Sequence, residues 1–239
     1  MAPNLICGTA SIGMDLTEFQ DVESVNVLYA HRADPETSLE EQIQGFNEQI
    51  AQGHCKAWGV SNTPPDVLEK ILHLCEQNGW QKPSCYQGEY SLISRGMETR
   101  LLPLLRAHNM AFNAFRGLAA GFLTGNSVNN RKTGTRFGDD NPLGKAVQKI
   151  FGAEDLTEAM RKFDTEVRAH GVSPIEVAAR WLSHHSALND DDGVVIGASK
   201  KAQIVEVVSF IQKGPLPTTL LELAENLWEE VKETRGTII

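Results

Sequence analysis

Cysteine, tyrosine and positive charge are all scarce in this sequence, and each scarcity excludes something. The four cysteines, Cys7, Cys55, Cys75 and Cys85, form no Cys-x-x-Cys pair and no metal-like spacing with histidine. A disulfide framework or a zinc site is therefore not expected, and the four read as reduced packing residues of a cytoplasmic protein. Lysine and arginine number 22 against 31 acidic residues, a net charge of −9. Such a surface repels duplex nucleic acid and anionic membranes, so an anionic ligand needs a local basic pocket. No apolar run reaches the roughly 18–20 residues of a membrane span. Met1 to Met14 lack the basic start and apolar stretch of a secretory signal. What remains, 41% hydrophobic and 22% charged residues over 239 positions, is the composition of one globular domain with a sizeable core.

Short apolar runs alternate with amphipathic stretches, the pattern of an α/β protein with parallel strands. Strands are predicted at Asn4–Gly8, Val25–His31, Ala57–Val60, Ser84–Gln87, Met110–Phe115 and Val194–Gly197. Several lack polar alternation, as strands buried on both faces do. Ser38-Leu39-Glu40-Glu41 and Ser173-Pro174-Ile175-Glu176 have the spacing of capping boxes and open two helices. A third helix follows Pro64-Pro65, carries the stripe Leu68, Ile71, Leu72 and Cys75, and closes at Asn78-Gly79. A last amphipathic helix is predicted from Leu220 to Arg235. The polar, Gly- and Asn-rich stretch Gly125–Gly144 is too long for a plain connection, and reads as a functional loop or as disorder.

Chemistry-bearing residues gather at the carboxyl ends of the predicted strands, where parallel α/β folds bind ligands. His31 ends one apolar run and leads into Arg32-Ala33-Asp34-Pro35. Ser61-Asn62 follows the next, and Tyr86-Gln87 ends another; side-chain amides and a hydroxyl there suit a planar carboxamide. Phe115 to Gly125 offers a ring, the cation Arg116, and small residues that let backbone approach a ligand. Gly197-Ala198-Ser199-Lys200-Lys201 places a hydroxyl and two ammonium groups at a helix start, the makings of a phosphate site. Taken singly, Ser61-Asn62 also reads as a helix cap, Lys200-Lys201 as a solvated face, and His31 as a residue bonded beneath a loop.

In their order these segments resemble the aldo-keto reductase family, most of all its aflatoxin-aldehyde-reductase-like branch. The matching blocks are Leu-Tyr-Ala-His-Arg-Ala-Asp-Pro, Trp-Gly-Val-Ser-Asn, Tyr-Gln-Gly-Glu-Tyr-Ser, Leu-Ala-Ala-Gly-Phe-Leu-Thr-Gly and Val-Ile-Gly-Ala-Ser. They run from about Val22 to Gly214, with a short echo at Gly8–Met14. The resemblance implies a TIM-barrel-like (β/α) barrel that binds NADP(H) and reduces a small ketone or aldehyde to an alcohol. It also implies roles. His31 matches the active-site histidine, and Ser61, Asn62 and Gln87 match the groups that hold the nicotinamide carboxamide. Phe115 matches the ring stacked on the nicotinamide. Arg116, Gly117, Leu118, Gly121 and Gly125 match the loop along the pyrophosphate, and Arg136 an arginine near the cofactor or a substrate acid. Gly197, Ser199, Lys200 and Gln203 match the adenosine 2′-phosphate site, where Val207 replaces an amide-bearing residue. Members of this branch include fungal enzymes that tailor polyketides or terpenoids, so the resemblance extends to secondary metabolism.

One departure is large. After Met14 the chain runs almost directly to the strand at Val25, where the family places its second and third strands with their catalytic Asp, Tyr and Lys. None of the three has a counterpart here. A (β/α)₈ barrel takes about 250 residues, and only six of its strands are predicted, so the barrel is expected to be incomplete. Tyr29, two residues before His31 on the same strand face, reads as barrel filling or as a substitute acid; His31 itself is the other candidate donor. A catalytically impaired relative that binds a cofactor or a partner is the alternative function, with a homo-oligomer covering the missing strands.

Overall fold

The computed structural model describes residues 4–7, 24–131, 133–198 and 200–237, the first four by backbone path alone. Six strands are described: β1 (Asn4–Cys7), β2 (Val25–Ala30), β3 (Cys55–Ser61), β4 (Cys85–Glu89), β5 (Ala111–Phe115) and β6 (Gly193–Ile196). Each lies on a predicted apolar run, with ends moved by at most two residues. The helices are α1 (Leu39–Ala51), α2 (Pro65–Asn78), α3 (Leu101–Ala107), α4 (Gly144–Phe151), α5 (Glu154–Ala169), α6 (Pro174–His184), α7 (Lys201–Ile211) and α8 (Thr218–Arg235). From β2 to β5, and again at β6, each strand is followed by a helix or a helical turn. This is the alternation of an incomplete parallel (β/α) barrel, as expected.

The chain forms two compact units. The smaller comprises described residues within Cys7–Gly88 and Glu98–Asn113. Its strands lie in the order β2-β3-β4-β5. β2 and β3 are parallel with Val25 opposite Cys55 and Ala30 opposite Val60, and β3 and β4 are parallel with Ser61 opposite Gln87. The helices start where the side chains satisfy free backbone donors. Ser38 Oγ accepts from Glu41 N at 3.2 Å, and α1 follows. Pro65 occupies the first position of α2, and Gly79, in the left-handed region at φ +66°, closes it. The predicted stripe Leu68, Ile71, Leu72 and Cys75 is buried with Trp58, Val60, Tyr86 and Phe112. Close packing fixes two glycines: a Cβ at Gly59 would stand 2.7 Å from the Tyr29 ring, and one at Gly88 2.7 Å from the Phe112 ring. β2 is the outermost strand here; Val25 is 37% exposed and Val27 to Ala30 are half-buried. This agrees with the loss of neighbouring strands from the family pattern.

The larger unit comprises described residues within Met1–Ile6, Glu89–Met97 and Ala114–Ile238. β6 lies beside β1 in the strand order. Trp181, Phe163, Met160, Val167, Leu182 and Leu227 form much of its core. Ser173 caps α6 through Oγ and Glu176 N at 3.2 Å. The capping box is half made, because the Glu176 carboxylate is committed to Arg180 at 2.8 Å and Lys213 at 2.6 Å. Parts of the described Gly125–Gly144 stretch are packed against the unit. Asn129 Nδ2 donates to Gly125 O at 2.8 Å and to the buried Asp164 carboxylate at 2.9 Å. Phe137 packs with Phe122 and Phe151, ring centroids 6.0 and 6.2 Å away.

Candidate active site

In the smaller unit the expected residues at the ends of β2, β3 and β4 lie together. β2 stops at Ala30, so His31 stands just beyond it, exposed to solvent. The turn after it is held by Asp34, whose carboxylate accepts from Glu36 N at 3.0 Å and Thr37 Oγ1 at 2.6 Å. These two bonds hold the Asp34 carboxyl below its usual pKa range. Asn62 sits in the left-handed region at φ +50°, a conformation asparagine tolerates better than most residues. Its Nδ2 donates to His31 O at 3.0 Å and to Ser61 Oγ at 3.1 Å. Parallel register then sets Gln87 beside Ser61. Tyr86 departs from the expected pairing with Gln87. It lies inside β4, buried and stacked on Phe112 at 6.0 Å, and its hydroxyl donates to Thr63 O at 3.0 Å. Alternation sends neighbouring side chains to opposite faces, so Tyr86 and Gln87 do not share one.

The Tyr29 hydroxyl is engaged within the unit. Its Oη lies 3.0 Å from Cys85 Sγ and accepts from Asn113 Nδ2 at 2.7 Å. Burial, then the Cys85 thiol, push the phenol pKa above its usual value near 10. A general acid working near pH 7 needs the opposite shift. The hydroxyl is spent inside the unit, as barrel filling requires.

In the larger unit, β5 ends at Phe115 and the chain enters a tight series of turns. Arg116, Ala119 and Ala120 have φ of +56°, +49° and +56°, and Gly121 +98°. Left-handed backbone costs a residue with a side chain about 1–2 kcal/mol. Three such residues fall within five positions of one turn. Ala119 N donates to Arg116 O at 2.6 Å, and Gly121 N to Leu118 O at 2.8 Å. A Cβ at Gly121 would meet nothing within 4 Å, whereas one at Gly117 would stand 2.6 Å from a Leu182 methyl. Gly121 therefore presents open backbone and Gly117 a packing contact. Gly125, at φ +75°, starts the long loop against Asp164. The Arg116 guanidinium lies 5.5 Å from the Phe115 ring centroid and donates to Glu89 Oε2 at 2.7 Å. Arg136 is exposed on the long loop, next to buried Phe137. A cavity of about 540 Å³ in the same unit is lined by Ser127, Val128, Phe137, Gln148 and Phe151 among others.

The expected phosphate residues gather at the start of α7. Gly197 and Lys200 are exposed, and Ser199 lies outside the described residues. Gln203 Oε1 accepts from Lys200 N at 3.1 Å, so this amide caps the helix. Three residues that sequence reading does not single out belong to these networks: Asn113 on Tyr29, Glu89 under Arg116, and Arg235 on Glu89. Glu89 does lie inside the block Tyr-Gln-Gly-Glu-Tyr-Ser that carries the resemblance, which is the signal that could have found it. Among the described residues no cluster of His, Cys, Asp or Glu is placed to hold a metal, and no helix is long and apolar enough to cross a membrane.

Comparison with known proteins gives the family. The sequence model of the aldo/keto reductase family matches residues 11–229. An aldo-keto reductase of Pseudocercospora fijiensis is 36% identical over 215 residues, which cover 88% of this chain and 72% of that protein. The oxidoreductase sirO of Leptosphaeria maculans is 33% identical, over 95% of this chain and 71% of its own length. Aflatoxin B1 aldehyde reductase member 2 of Rattus norvegicus is 31% identical, over 87% of this chain but only 59% of its own. The match spans most of the sequence and the strand pattern agrees with it: the chain belongs to the aldo/keto reductase family.

Proposed function

We propose that the protein binds NADP(H) and reduces a ketone or aldehyde to an alcohol, within the aflatoxin-aldehyde-reductase-like branch of its family. One observation carries this reading. Of the six described residues other than glycine with left-handed backbone, four are Asn62, Arg116, Ala119 and Ala120, and all four fall on segments that the family resemblance assigns to the cofactor. Strain kept at such positions has functional meaning. The donor sets suit the ligand as well. Ser61, Asn62 and Gln87 offer a hydroxyl and amides for the nicotinamide carboxamide. Arg116 and the open backbone at Gly121 suit a pyrophosphate, and Lys200 with the head of α7 suits a 2′-phosphate, Ser199 completing that set by resemblance.

When bound, NADPH supplies the hydride. His31, exposed just beyond β2, orients the carbonyl or donates the proton, while the Tyr29 hydroxyl is engaged by Cys85 and Asn113. Without the family's Asp, Tyr and Lys the reaction is slower, because a well-placed general acid contributes about 10²–10⁴ in rate. The Gly125–Gly144 loop, with Arg136 and the adjoining cavity, selects the substrate. Likeness to fungal relatives supports a role in polyketide or terpenoid metabolism, in the cytoplasm. The test is NADPH oxidation across a panel of ketones and aldehydes. Turnover abolished in His31→Ala supports the proposal, and no turnover by folded protein on any of them overturns it.

The missing catalytic set and the half-exposed β2 favour one second reading, a relative that binds the cofactor or a partner without turnover. A self-associated form that covers β2 belongs to that reading. Saturable NADPH binding with no carbonyl-dependent oxidation selects it.

A further inference from the structure

Glu89, at the end of β4, is 8% exposed, and two guanidiniums of the larger unit converge on it. Arg116 Nη1 donates to Oε2 at 2.7 Å, and Arg235 Nη2 donates to Oε1 at 3.2 Å. Ser94 Oγ joins them, donating to Glu89 Oε1 at 3.0 Å and accepting from Arg235 Nη2 at 2.9 Å. The two arginines are held very differently. Arg235, in the last turn of α8, is 5% exposed and its guanidinium is fully committed. Its Nε and Nη1 donate to the Ile93 and Ile150 carbonyls, each at 3.3 Å, and its plane lies 4.7 Å from the Phe151 ring centroid. The Arg116 side chain is 38% exposed. It has one nitrogen on Glu89 and the rest of its fork toward solvent, on a residue whose backbone is left-handed.

The charges do not balance. One carboxylate serves two guanidiniums, so the set carries a net charge of about +1, and its exposed end is Arg116. A buried ion cluster is costly unless every member is satisfied, and the unsatisfied share here faces outward. An arginine side chain is also expensive to order. One ordered before its ligand arrives binds more tightly, because that cost no longer falls on binding.

We infer that Glu89 and Arg235 are positioning residues for the cofactor's pyrophosphate. They hold Arg116 in one orientation beside Phe115 and thereby fix the turn Arg116–Gly121. The inference rests on the NADP(H) reading above. Arg235 is the rigid post, Glu89 the link, and Arg116 the group that meets the phosphate oxygens as a bidentate donor. Cofactor affinity therefore depends on the last turn of α8.

Fluorescence titration with NADPH tests this on Arg116→Met, Glu89→Gln, Arg235→Met and Arg235→Lys. Each of the first three should weaken binding by about tenfold, the size of one charge-assisted pair, and Arg235→Lys should restore most of the affinity. The double variant Arg116→Met/Glu89→Gln should bind no worse than Arg116→Met alone, because Glu89 acts through Arg116. In the ligand-free protein, amide exchange at Ala119 and Gly121 should quicken in Glu89→Gln. Glu176→Gln, which breaks another buried ion pair of the same unit, should leave affinity unchanged. If the parent protein binds NADPH and the Glu89 and Arg235 variants bind equally well, the inference is wrong while the functional reading stands. Additive losses in the double variant overturn the inference in the same way. If the parent protein does not bind NADPH, the functional reading fails and this inference with it. Should Arg235→Met fail to fold, Arg235→Lys and Glu89→Gln carry the comparison.

Discussion

Tyr29 shows how little a side chain's address says about its work. Strand alternation sets it on the face of His31, which is why a substitute acid is conceivable. Its neighbours decide otherwise, because Cys85 and Asn113 occupy the hydroxyl and burial holds the proton on. Tyr29→Phe should therefore keep turnover within about twofold while lowering stability by about 1 kcal/mol, the cost of leaving the Asn113 amide without its partner. Steady-state rates and urea melts of the variant check both halves. His31, Ser61 and Asn62 are legible in sequence because each sits within a residue or two of a strand's end, where apolar character stops abruptly. Glu89 and Arg235 are not, because they meet across 146 positions of chain. Nothing local distinguishes Arg235 from a cation placed to complement a helix dipole.

Elements are most legible where the sequence carries chemical punctuation. α1 and α6 begin at serines whose hydroxyls take the free backbone donors, and α2 is bracketed by Pro65 and Gly79. α3, α4 and α5 escape that reading because Arg100, Leu143 and Ala153 precede them without a side-chain cap. Pro103 within α3 further disguises a seven-residue helix. α8 starts two residues before its predicted start at Leu220, for the same want of a cap. One connection between elements is pH-dependent. Leu216 N donates to His185 Nε2 at 2.7 Å, which requires that nitrogen to be unprotonated. Burial, then His184 and Arg180, lower the His185 pKa below its usual 6.5. The folded state thus binds the proton less readily than the unfolded chain. The contribution is complete above about pH 6.5 and is lost as pH falls through the lowered value. His185→Gln keeps an acceptor and removes the titration, so its stability should fall less over that acid range than the parent's. Denaturant midpoints measured from pH 7.5 down to pH 5 compare the two.

At the scale of the whole molecule, the six apolar runs and the helices between them suffice for the α/β architecture, and their spacing after Met14 marks where the family's second and third strands have no counterpart. What they leave illegible is which strands remain neighbours. That depends on pairing between distant segments, and a strand buried on both faces does not name its partner. The consequence of the shortened pattern is visible at β2, which is less buried than β3. The consequence of the dense packing around β3 and α2 lies in its sulfur chemistry. Cys55, Cys75 and Cys85 are 3%, 2% and 4% exposed, and burial pushes the Cys75 thiol up to about 11. Only a thiolate attacks a disulfide reagent, so each must first be let out. In a Cys7→Ser background these sulfurs become an internal clock. Their labelling should lag far behind that of a free thiol, and its tempo gives how often this half of the chain breathes.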